Sequence, residues 1–149
     1  MIRCRTLLFC LLVAYSCRAQ QGGAVVRMTA SERKDCVHAA MHAANESVET
    51  ADHAYTSSDT SSAKAALDAA LSDVRRGVDC ALEGSRGQKN AEIELRRLSR
   101  RLSAVEQSID ADDRPYVHQA QVEVEKQRDR LLRAMFGAAA EVPPSEKKP

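Results

Sequence analysis

The chain has 149 residues, 44% of them hydrophobic and 29% charged, with 22 Lys+Arg against 21 Asp+Glu for a formal charge of +1. That length is one ordinary domain, and the near-neutral balance removes any whole-chain case for nucleic acid. Six Gly, four Pro and an aromatic share of only 3% exclude a turn-rich β-sandwich and point to a core of small aliphatic side chains.

The N-terminus reads as an export signal. Met1-Ile-Arg-Cys-Arg5 is a short basic start, and Leu7 to Tyr15 is an apolar run too short to span a bilayer. Cys17 and Ala19 then place small residues at −3 and −1 ahead of Gln20, so residues 1–19 are expected to be a cleaved signal peptide and 20–30 a linker. A minor alternative cleaves before Cys17 and leaves it as a lipid anchor, although Ala14 and Tyr15 fit that pattern poorly. Loss of residues 1–19 removes Arg3, Arg5 and Arg18, turning +1 into −2, and leaves Cys36 and Cys80 as the remaining cysteines. A lone pair in an oxidising compartment is expected to be a disulfide.

Four amphipathic segments follow, each with apolar residues stepping by three and four. The first carries Val37, Met41, Ala44, Val48, Ala51 and Tyr55. The second carries Ala63, Leu67, Leu71, Val74, Val78 and Ala81. Ala91, Leu95, Leu98, Leu102, Val105 and Ile109 form the third stripe. The fourth runs Val117, Ala120, Val124, Leu131 and Met135 with a polar break at Gln127. This period is that of helices burying a narrow seam.

The breaks between stripes agree. Ser31 is the expected first cap, with Lys34 where a capping-box Glu would sit. Thr56 to Thr60 is a polar turn, Gly84 and Gly87 end the second helix, and Asp112-Asp113-Arg114-Pro115 stops the third and starts the fourth. Short connections make neighbours antiparallel, so the expectation is an all-α, up-down four-helix bundle over 31–137, built from two long hairpins. Residues 138–149 read as a disordered tail. Cys36 and Cys80 lie equally far from a turn near residue 58, on Ala-rich flanks, so a disulfide is expected to staple the first hairpin.

Candidate chemistry is sparse. His38 and His42 stand one turn apart, and Glu46, Glu49 and His53 share their side of the helix, a string of Zn- or Cu-capable ligands that reads equally as a solvated face. Ala39 occupies the place where a zinc-protease helix needs Glu. Arg96, Arg97, Arg100 and Arg101 form a basic cluster within two Arg-Arg-Leu-Ser units, suited to an acidic partner or to a solvated charge face. Leu131, Leu132, Met135 and Phe136 crowd the end of the fourth helix as an exposed contact or an apolar plug. Asn45-Glu46-Ser47 matches a glycosylation acceptor.

No diagnostic catalytic spacing is present. The expected function is therefore that of an exported, non-enzymatic helical protein. It would act by protein–protein interaction in the periplasm or cell envelope, with an envelope or secreted partner or by self-association. It would use no nucleic acid, no cofactor and no transmembrane segment after signal cleavage. The alternative is a periplasmic Zn- or Cu-binding protein using the His38/His42 face.

Overall fold

A computed structural model describes residues 28–137, which fold into α1 (Ala30–Thr56), α2 (Thr60–Leu82), α3 (Gln88–Ser108) and α4 (Arg114–Phe136). The expected signal peptide at 1–19, the lipid-anchor alternative at Cys17, most of the linker and the tail at 138–149 lie outside the described residues. No described helix is long and apolar enough to cross a membrane.

The first cap differs from the one read at Ser31. Thr29 is the N-cap, its hydroxyl accepting from the Glu32 amide at 3.3 Å while the Glu32 carboxylate accepts from the Thr29 amide at 2.6 Å. The box that starts at Ser31 lacks its acid, whereas Thr29-x-x-Glu32 has both halves, so the helix begins earlier. Asp59 caps α2 by accepting from the Ser62 amide, after a turn in which Ser58 takes the left-handed conformation (φ 62°).

Gly87 opens α3 rather than closing α2: it is the α3 N-cap, at φ 98°. That conformation suits a residue with no Cβ. Asp113 stands at the α4 N-cap, but its side chain caps nothing. Its two carboxylate oxygens instead accept from Thr60 and Lys64 of α2, at 3.2 and 3.0 Å.

The two hairpins line one shared core with side chains of different size. Along α1 and α2 the buried residues are mostly small, among them Ala40, Ala44, Ala51, Ala63, Ala70 and Gly77. Close approach follows: a Cβ built on Gly77 would come within 2.5 Å of Met41 Cε and 3.2 Å of Ala40 Cβ. The Cys36–Cys80 disulfide closes this hairpin, with Cα atoms 6.2 Å apart. Four of the five fully buried leucines, Leu95, Leu98, Leu102 and Leu131, belong to the second hairpin. Leu71, Tyr55, Ile109 and Met135, all on the predicted stripes, are only half-buried, because they sit at seam edges or helix ends.

Ion pairs and hydrogen bonds give the arrangement. Along α2 and α4, Lys64 meets Asp113, Asp68 meets Tyr116, Arg75 meets Glu123 and Asp79 meets Arg130, so these two helices run parallel. Asn45 with Glu94 and Glu49 with Arg101 show the same for α1 and α3. The two hairpins therefore lie side by side with both turns at one end, and the disulfide and the α2–α3 link at the other. Helix direction alternates up and down along the chain. Among the described residues α1 and α4 make no contact and form the open diagonal, while α2 and α3 touch across the other.

Candidate functional site

The α1–α3 edge is the seam where the hairpins leave space. A groove of about 730 Å³ lies there, with Val37, Met41 and Ile93 on its floor. His38, His42, Glu46 and Glu49 of α1 form one wall, and Glu94, Arg97 and Arg101 of α3 the other. The parallel pairing of α1 and α3 creates this site, because it sets the histidine face of one helix beside the arginine cluster of another.

The walls are held by charge-assisted contacts. His42 Nδ1 lies 3.2 Å from Glu46 Oε2, and the His38 and His42 ring centres are 6.3 Å apart. Arg97 donates to both Glu94 oxygens, at 3.0 and 3.1 Å. Arg101 reaches across the groove to Glu49 at 3.6 Å. Asn45 Nδ2 donates to the Met41 carbonyl and to Glu94, so the residue of the glycosylation pattern is half-buried against α3.

The structure separates other residues grouped by sequence. His53 is exposed beyond the groove, and Glu49 is engaged by Arg101, so the five candidate ligands do not converge. Among the described residues, no three His, Cys, Asp or Glu side chains are gathered around a point that could hold a metal ion. Arg96 turns away from the groove and binds Glu92 through 2.7 and 2.8 Å hydrogen bonds, while Arg100 is exposed with no ion pair among the described residues. Ser99 of the first Arg-Arg-Leu-Ser unit is buried and so shielded from any modifying enzyme. At the end of α4, Leu131 is fully buried, Leu132 and Met135 are half-buried, and Phe136 is 69% exposed.

One polar feature gains a burial and a partner that spacing alone does not show. Glu92 is a buried carboxylate gripped by Arg96 of its own helix and by Arg128 of α4 at 3.1 Å. Hydrogen bonds from Arg96, then from Arg128, hold its carboxyl below the ordinary value of 4.5. It flanks the α3 seam, where an acid reads as surface, and only the facing Arg128 explains its burial. The floor residue Ile93 was legible in principle, being a bulky apolar side chain off the seam and 41% exposed. The polar break at Gln127 is real: the residue is buried and its Nε2 donates to Glu123 at 2.9 Å.

Comparison with protein-family models, with curated proteins and with solved structures finds no match, so the geometry of the chain itself carries the functional reading.

Proposed function

We propose that this chain is an exported, non-enzymatic helical protein that acts by protein–protein interaction in the periplasm or cell envelope, with the α1–α3 groove as its contact surface. The groove supports this reading: Ile93, 41% exposed over the buried Val37 and Met41, stands among charged side chains of both helices. An apolar centre with a polar rim is the composition of a recognition face. Arg97 and Arg101 on that rim, paired with Glu94 and Glu49, would take the carboxylates of an acidic segment in exchange for these intramolecular partners, since a guanidinium forks onto a carboxylate. Export rests on the N-terminal pattern, and a disulfide in a chain with only two cysteines beyond it agrees with an oxidising compartment.

The test is site-specific photocrosslinking in cells, with the probe at Ile93 and fractionation of the products. A partner trapped in the envelope fraction, and lost with Arg97→Glu but retained with Phe136→Asp, is the expected result. A chain that stays in the cytosol, or that crosslinks to nothing at Ile93 while remaining a monomer, overturns the proposal.

A further inference from the structure

Histidine is scarce in this chain: His38, His42, His53 and His118 are all there are. Two of the four stand one helical turn apart on the same groove wall, with ring planes 29° from parallel. Both are exposed, and His38 makes no side-chain hydrogen bond among the described residues. The pair is therefore free to turn about χ1 and χ2 at little packing cost.

Glu46 gives the arrangement a direction. Its carboxylate lies 3.2 Å from His42 Nδ1, within ion-pair range, on the same helix face. A carboxylate behind an imidazole is the outer-shell contact that fixes tautomer and ring orientation in metal-ligating histidines.

We infer that His38 and His42 form an open two-imidazole chelate for Cu(II) or Zn(II), with Glu46 as a positioning carboxylate and water in the remaining coordination places. An imidazole pair at i, i+4 suits these borderline ions, which need a ring nitrogen at about 2.0–2.1 Å. Ring centres at 6.3 Å must close toward each other to share one ion, which two exposed side chains achieve by rotation. Glu49 and His53 stay outside the chelate. It is a different site from a closed three- or four-ligand cage, and it stands independently of the partner reading.

The experiment is calorimetric titration of the untagged, chelator-stripped, oxidised protein with CuCl2 and separately with ZnCl2, supported by electron paramagnetic resonance of the Cu(II) form. The expected result is one saturable site, tighter for Cu(II) than for Zn(II), with two nitrogen donors in the spectrum. His38→Ala and His42→Ala should each weaken binding at least about tenfold, and Glu46→Gln about tenfold through loss of the outer-shell contact. The double variant His53→Ala/His118→Ala should bind as the parent does. All these positions are exposed, and circular dichroism checks that each variant keeps its helices. Absence of saturation, binding that survives loss of both His38 and His42, or binding lost with His53 and His118 overturns the chelate. Unchanged affinity in Glu46→Gln overturns the positioning role.

Discussion

Tyr116 donates its phenolic proton to Asp68 at 2.7 Å, tying the start of α4 to α2 while Lys64 lies over its ring. That hydrogen bond, with partial burial and the Asp68 charge, pushes the phenol up to about 12 from an ordinary 10.0. A group whose folded value is raised adds stability that is fully present below the unfolded value and is lost as pH rises through the folded one. Stability should therefore fall between pH 10 and about 12, over the interval that these two values bracket. Tyr55 adds to the same alkaline loss, because burial and the Asp113 charge also raise its phenol. Tyr116→Phe should lower stability at neutral pH by about 0.5–1.5 kcal/mol through the lost hydrogen bond and flatten the alkaline limb. Urea midpoints measured from pH 8 to about 12 check this; a variant with the parent's alkaline slope contradicts the assignment. None of this was legible from residue type, since Tyr116 and Asp68 lie 48 positions apart.

At the scale of the helix pair, α1 and α2 bury alanines and a glycine where α3 and α4 bury leucines. Each methylene absent from a seam forgoes roughly 0.8 kcal/mol of burial, so the first hairpin leans on its covalent staple. A bridge across 44 residues stabilises by about 4 kcal/mol in chain-entropy terms. Cys80→Ala should lower Tm by roughly 10–20 °C, and reduction of the parent should do the same. Under reduction, hydrogen exchange should quicken first in α1 and α2 while α3 and α4 keep their protection. Equal melts under oxidising and reducing conditions would show the staple to be dispensable. The Cys36–Cys80 partnership itself was legible in the sequence, because symmetric spacing about a turn is a local property of an antiparallel hairpin. The capping of α4 was not: Asp113 had the right type and place for a cap, but Lys64 and Thr60 from another helix claimed its carboxylate.

Across the whole molecule, Glu92 and Glu123 are among the carboxylates that join helices. Glu92 links α3 to α4 through Arg128, and Glu123 links α4 to α2 through Arg75. Hydrogen bonds hold both below the ordinary 4.5, Glu92 chiefly through Arg96 and Glu123 chiefly through Gln127. With folded values depressed, their contribution is complete above about 4.5 and is lost as pH falls through the lower folded values. The midpoint of urea unfolding should therefore drop on acidification below about pH 4.5. The double variant Glu92→Gln/Glu123→Gln should be less stable at pH 7 and lose less below that point. A variant that tracks the parent throughout the acid range would show that these bridges contribute nothing to assembly.

The sequence by itself determined four amphipathic helices, their order, the turns between them and the disulfide that closes the first hairpin. All of these follow from near-neighbour spacing, since a stripe of apolar residues says which face is buried. It does not say against what. Only the tertiary structure decided that the hairpins lie parallel, with α1 beside α3 and α2 beside α4, because that choice depends on how small and large seams fit and on pairs such as Asn45 with Glu94 and Lys64 with Asp113. The groove follows from that decision: His38 and His42 face Arg97 and Arg101 because two helices distant in sequence run the same way along one edge.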